Sequence, residues 1–300
     1  MARTREPRNP AVRRCALAAA LLWATANVGA TEIRVVGSDL LGDAWVRAVG
    51  EFARQNDVTV KLNLRGTRPG VDDLVAGRAD LGLFLLPPGE SPPADAFASR
   101  VFAYQVAVVV VPAVSPLQQA TAAQLRGLFA RSAGGTFSRW GELNLVGEWT
   151  SRPVALRALS PQGGLAWPIF QRVTLANGEP QGGVEFWPTP EVFAERLPAA
   201  VGAIGITNWF VAGTGMRVLS LAASPTDPAY APTPENVHRG DYPLRLPLYI
   251  TFRREAAPEL QLFLKFLLSD EAAAALARAH FMTLPTGARN QLVFELEEMK

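Results

Sequence analysis

The stretch Ile33-Arg-Val-Val-Gly-Ser-Asp-Leu-Leu-Gly-Asp-Ala-Trp45 runs from an apolar β-branched segment through Gly37 and Ser38 into the first turns of a helix. Such a strand-to-helix corner leaves backbone N–H groups unpaired and adds the positive end of the peptide dipoles, so it suits an anion or another acceptor-rich ligand. Ser38 or Asp39 serves equally well as a simple helix cap, and both readings are open on this stretch alone.

Outward from that corner the chain alternates short β-rich runs with helical ones, the pattern of an α/β protein with largely parallel sheets. Glu32–Gly37 reads as a strand, and Ala44–Gln55 as a helix with Trp45, Val49 and Phe52 near helical spacing. The alternation of residues 58–64 predicts a second strand, a short helix covers Val71–Ala76 and ends at Gly77, and residues 79–86 form a third strand. The almost unbroken β-branched run at 101–111 is expected of a strand buried on both faces or crossing between lobes.

A helix follows over Thr121–Phe129, then a strand at 153–160, a glycine-containing corner and a helix starting near Leu165. Residues 201–211 predict a further strand. The Pro-, Thr- and Asp-rich stretch Ser224–Pro247 reads as loop and runs into a strand at 246–252. One long helix is expected over 258–281, with Leu260, Phe263, Leu264 and Leu267 on its apolar face.

Composition narrows the function classes. Of 300 residues, 49% are hydrophobic and 19% charged, which describes a folded globular chain long enough for two cores. Arg3, Arg5, Arg8, Arg13 and Arg14 precede an apolar run from Cys15 to Val28, and small residues follow at 28–30, so a secretory signal peptide cleaved after Ala30 is expected. Five of the 29 basic residues and one of the 27 acidic ones leave with it, so 24 against 26 remain and the mature net charge is near −2. Nothing in that balance points to nucleic acid. Cys15, the only cysteine, leaves too, so neither disulfides nor thiol chemistry are expected. No later run is long enough to cross a bilayer as a helix.

The segments 37–45, 64–83, 103–129, 202–209, 232–252 and 263–285 together resemble the phosphate-specific (PstS-type) periplasmic binding proteins of ABC uptake systems, in family order over nearly the whole mature chain. The most specific block is Tyr242-Pro-Leu-Arg-Leu-Pro-Leu-Tyr-Ile250 leading to the helix at 263–268 and a terminal Leu284-Pro285. The resemblance implies a type II periplasmic binding protein: two α/β lobes joined by two crossover strands and closing on a ligand. Lobe I is expected over 31–107 plus 246–300, and lobe II over 108–245. It further implies a periplasmic, monomeric, non-enzymatic receptor that captures phosphate or a similar small oxyanion for an ABC permease, with no cofactor. A binding-fold protein without high-affinity capture, acting as an envelope sensor or interaction partner, is the alternative.

The ligand residues implied by the resemblance are Ser38 with the backbone at Asp39 and Leu40, then Thr67 and Arg68 at the second corner, and Arg157, Ser160 and Gln162 in lobe II. A guanidinium makes two parallel bonds to an oxyanion, which makes Arg157 the leading candidate, with a surface ion pair as its other reading. Arg68 either adds a charge to the site or faces solvent. Pro69, Pro161 and the leucines at 85 and 86 depart from the family pattern, replacing donors or polar groups. His238 and His280 are too few and too far apart for a metal site, and no nucleophile–base arrangement is present. Trp45, Trp167 and Trp209 fall near corners and are candidates for cleft lining or core.

Overall fold

In the computed structural model β1 (Glu32–Gly37), α1 (Gly42–Gln55) and β2 (Thr59–Asn63) form a parallel β-α-β unit, and α2 (Thr67–Val75) carries the chain to β3 (Leu81–Leu85), which pairs parallel on the other side of β1. The structure describes residues 32–299 except 88, 132–135 and 209–214. The expected signal peptide with Cys15, and Trp209, lie outside the described residues.

The local pattern explains these elements. Trp45, Val49 and Phe52 are buried on one face of α1, and all five residues of β3 are buried, as a strand covered on both faces requires. Helix α2 begins at Thr67 rather than at Val71, because Pro69 falls in its first turn, where no backbone N–H has an intrahelical partner to lose.

The sixteen-residue strand β4 (Phe97–Pro112) then spans the molecule. It is followed by β5 (Gln119–Thr121), α3 (Ala122–Phe129), β6 (Ala155–Leu159), α4 (Ala166–Thr174), β7 (Glu185–Trp187), α5 (Pro190–Arg196), β8 (Ala203–Asn208), β9 (Met216–Val218) and β10 (Ser220–Ala222). The rest is α6 (Pro234–Arg239), β11 (Arg245–Arg253), α7 (Ala257–Leu267), α8 (Asp270–Arg278), β12 (Phe281–Thr283) and α9 (Thr286–Glu297).

The main strand order is β2-β1-β3-β11-β4-β8-β6-β7. Strand β4 changes partner along its length: up to Val106 it runs antiparallel to β11, and from Ala107 to Val110 antiparallel to β8. The chain returns beside the same point, where Leu244 O accepts from Ala107 N at 2.9 Å and the buried Tyr242 hydroxyl donates to Ala107 O at 3.0 Å. This is the fold of type II periplasmic binding proteins, two α/β halves sharing two crossing strands.

On one side α1 packs on α7, with Phe52 stacked on Phe266 at 4.5 Å and tilted against Phe263 at 5.5 Å. On the other, Phe129 of α3 meets Phe170 of α4 edge-on at 5.0 Å. Each such buried ring contributes about 1.5–3 kcal/mol through removal of apolar surface from water. Trp45 and Trp167 belong to this interior, at 0% and 4% exposure, so of their two readings the core one holds.

Two expectations change. The segment 258–281 is two helices, because Ser269 stops α7 and caps α8, its hydroxyl accepting from Ala272 N at 3.2 Å. The segment 224–247 contains a helix, α6, started by Thr233 as cap and Pro234 in the first turn.

Candidate functional site

Gly37 ends β1 at φ +148° and lies so close to β3 that a Cβ there would sit 2.1 Å from Leu83 O. Only glycine fits, and this close approach lets Ser38 N donate to Leu83 O at 2.9 Å while Gly66 N donates to Gly37 O at 2.8 Å. The second bond joins the start of α2 to the end of β1, so Ser38 and Thr67 stand on adjacent corners. The Ser38 hydroxyl, buried at 3% exposure, accepts from Leu40 N at 3.2 Å. The Thr67 hydroxyl accepts from Leu85 N at 3.0 Å. Each oxygen is thereby oriented as an acceptor, and neither hydroxyl hydrogen has an acceptor among the described residues.

The remaining residues expected on this wall separate. Asp39 is exposed, Leu40 is exposed with its amide engaged by Ser38, and the Arg68 side chain is 88% exposed and 3.6 Å from Glu90. Leu85 and Leu86 are buried in the core, so their apolar character serves packing rather than an exposed wall.

The lobe II corner is built on glycines and an asparagine. After β6, Ser160 N donates to Trp187 O at 2.8 Å and Gly163 N donates to Ser160 O at 2.8 Å. A Cβ on Gly164 would meet the Asn208 amide at 2.4 Å. Asn208, buried at the end of β8, accepts from Ala166 N at 3.1 Å and so caps α4 from 42 residues away. Sequence reading did not single out Asn208; a polar residue ending a strand that is apolar up to Ile206 was its only local signal. Ser160 and Gln162 satisfy one another: the serine hydroxyl donates to the glutamine side-chain oxygen and accepts from Gln162 N at 3.3 Å.

Arg157 lies within β6, three residues before Ser160, in register with Glu185 on one side and Gly205 on the other. Its Nη2 is 3.2 Å from Glu185 Oε2, its Nη1 donates to Leu156 O at 2.9 Å, and the guanidinium sits 5.5 Å from the Trp187 ring centre. Nε is buried without a partner among the described residues, and so is the hydroxyl of Thr207. Strand alternation puts Thr207 on the same face as Gly205, and therefore as Arg157. Buried orphan donors are uncommon in folded proteins; the third among the described residues, Trp45 Nε1, lies in the aromatic core of the other half.

A cavity of about 510 Å3, lined by no residue of either corner, lies between α3, the C-terminal end of α4 and the segment 221–244. Among the described residues no cluster of three His, Cys, Asp or Glu could hold a metal ion, and no helix is long and apolar enough to cross a membrane.

Two α/β halves around shared crossing strands, with hydroxyl and glycine corners at the strand ends, define the class: a periplasmic binding protein fold. Residues 24–271 match the model of the PBP superfamily domain, and the chain belongs to that family. It is 23% identical over 284 residues to the phosphate-binding protein PstS of Pseudomonas aeruginosa, covering 87% of this chain and 85% of that one. Similar solved structures include PstS of Borrelia burgdorferi, at 13% identity and TM-score 0.69, covering 85% of this chain and 100% of that one. An ABC-type phosphate transport receptor of Vibrio cholerae is similar at 16% identity and TM-score 0.62, with 84% and 99% covered.

Proposed function

We propose that the protein is a periplasmic solute-binding protein, not an enzyme, which captures phosphate or a similar small oxyanion and delivers it to an ABC permease. Its leader is cleaved after Ala30, and the mature chain works as a monomer. Residues 31–107 with 246–300 form one lobe and 108–245 the other, hinged where Ala107 bonds to Tyr242 and Leu244. The names carried by the Pseudomonas and Vibrio proteins support the ligand class.

The observation that carries this reading is the bond from Gly66 N to Gly37 O, which brings the Ser38 and Thr67 hydroxyls onto adjacent corners with both O–H groups left to donate. A desolvated oxyanion is stable only if its oxygens are paired, and convergent hydroxyl and amide donors at helix starts do that. Arg157 completes the set from the other lobe: an oxyanion oxygen accepting from Nε would satisfy the orphan donor, with Ser160 and Gln162 flanking it.

The test is calorimetric titration with phosphate and, separately, sulfate. Wild type binds phosphate at micromolar concentration or tighter. Thr67→Val and Arg157→Gln each weaken it at least about tenfold, the loss expected for one hydrogen bond to a charged ligand. Silence of the wild-type protein toward both anions would overturn capture and leave the alternative, a binding fold used as an envelope sensor or interaction partner.

A further inference from the structure

The cavity of about 510 Å3 differs from the corners in where its walls come from: all of them belong to the chain between β4 and β11, the stretch that makes a single lobe in the proposed function. It lies at the C-terminal end of α4, whereas the Ser160 corner precedes the N-terminus of that helix, about 12 Å away along its axis. Leu125 of α3, Val173 of α4, Leu221 of β10 and Leu244 supply apolar surface. A concave apolar site of about 300–1,000 Å3 with a few polar groups converging on it is the usual form of a small-molecule site.

Three polar groups of the lining have no partner among the described residues. Thr174 ends α4 and is only 6% exposed, yet its hydroxyl makes no hydrogen bond among them and is not sealed off, so the small surface it keeps is the one that lines the cavity. Tyr230 is fixed against β10 through both backbone groups, Leu221 N donating to Tyr230 O at 2.9 Å and Tyr230 N to Leu221 O at 2.8 Å, while its hydroxyl stays unbonded. Asp227 stands at the solvent edge in a turn closed by its N–H on Ser224 O at 3.3 Å, and its carboxylate has neither an ion pair nor a hydrogen bond. A hydroxyl buried as deeply as that of Thr174 and left unbonded asks for a polar group from outside the chain.

Charge sets the ligand class. No Lys, Arg or His lines the cavity, and its two ionised groups are carboxylates. Asp241 is already held by Arg239 Nε at 2.8 Å, so Asp227 is the uncompensated charge of the lining. Arg245 abuts Gly240, where a Cβ would come within 2.8 Å of its Nη2, but lines no part of the cavity. We infer that this cavity is a second binding site, separate from the anion site, for a primary amine with a compact apolar body. The ammonium lies on the Asp227 carboxylate, the Thr174 hydroxyl is the second polar contact, and the body packs against Leu125 and Leu221 beside the Tyr230 ring, whose face also attracts a cation.

Calorimetric titration of the purified protein with benzylamine, benzyl alcohol, phenylacetate and inorganic phosphate decides it. Wild type takes benzylamine about fivefold more tightly than benzyl alcohol, the gain of one ion pair at a half-open edge, and phenylacetate most weakly. Asp227→Asn brings benzylamine down to the level of the alcohol and leaves the alcohol and phosphate as in wild type. Thr174→Val weakens benzylamine and benzyl alcohol alike. Thr67→Val, in the anion site, leaves benzylamine unaffected. The inference is overturned if wild type takes no benzylamine, if phenylacetate binds as well as benzylamine, if Asp227→Asn binds benzylamine as wild type does, or if Thr67→Val removes benzylamine binding. Failure of phosphate alone would count against the proposed function and leave this site standing.

Discussion

Asp80, in the turn that enters β3, takes three hydrogen bonds from Arg34 of β1: Nη2 to Oδ1 at 2.6 Å, Nε to Oδ2 at 3.0 Å, and the Arg34 backbone N–H to Oδ2 at 2.8 Å. Burial alone would raise the carboxyl, but the Arg34 bonds overcome it and hold Asp80 below its ordinary 3.8. Since the folded value is depressed, the stabilisation is complete above pH 3.8 and is lost as pH falls through the lowered value. Asp80→Asn is expected to cost about 1–2 kcal/mol at pH 7, a charged hydrogen-bonded pair discounted for its partial exposure. Urea denaturation at pH 7 and pH 3 checks it, the variant and wild type differing less at the lower pH.

Gly37 and Gly77 both have positive φ, yet they differ in what surrounds them. A methyl at Gly37 meets Leu83 O at 2.1 Å, whereas at Gly77, φ +73°, nothing lies within 4 Å. Gly37→Ala is expected to cost at least about 3 kcal/mol through steric displacement of β3. Gly77→Ala should cost only about 1–2 kcal/mol, the left-handed backbone penalty of an L-residue. Paired urea titrations measure both, and equal losses would contradict the packing account of the Ser38 corner.

His238 lies at the return crossing, its Nδ1 3.2 Å from the Tyr104 hydroxyl. Burial, and secondarily the nearby Arg245, push the imidazole below 6.5. The unfolded chain therefore takes up this proton first as pH falls. Stability contributed by His238 is full above pH 6.5 and declines below it, down to the lowered folded value. In urea titrations between pH 7.5 and 5, His238→Gln should show a shallower decline than wild type. Parallel curves would remove His238 as the source.

The elements that were legible in the sequence are those whose signal is local. Trp45, Val49 and Phe52 repeat at helical spacing because one face of α1 must leave water, and the β-branched run at 101–111 is buried from Phe102 onward in β4. The break between α7 and α8 was also local, a serine cap at 269, but the continuous apolar face on both sides masked it. The Gly37-Ser38 corner was readable as a strand end followed by a cap.

The site divides differently. Residue order along the chain, through short-range periodicity and capping chemistry, determined the alternation of strands and helices, the crossing strands and the first hydroxyl corner. Tertiary structure alone decided that Thr67 meets Leu85, that Arg157 pairs with Glu185 while its Nε is left bare, and that Asn208 caps a helix 42 residues before it. It alone set Thr174 of α4 and Asp227 around one apolar cavity. These contacts join segments far apart in sequence, and whether a charged side chain there is paired, orphaned or open to a ligand depends on which strand comes to lie beside it.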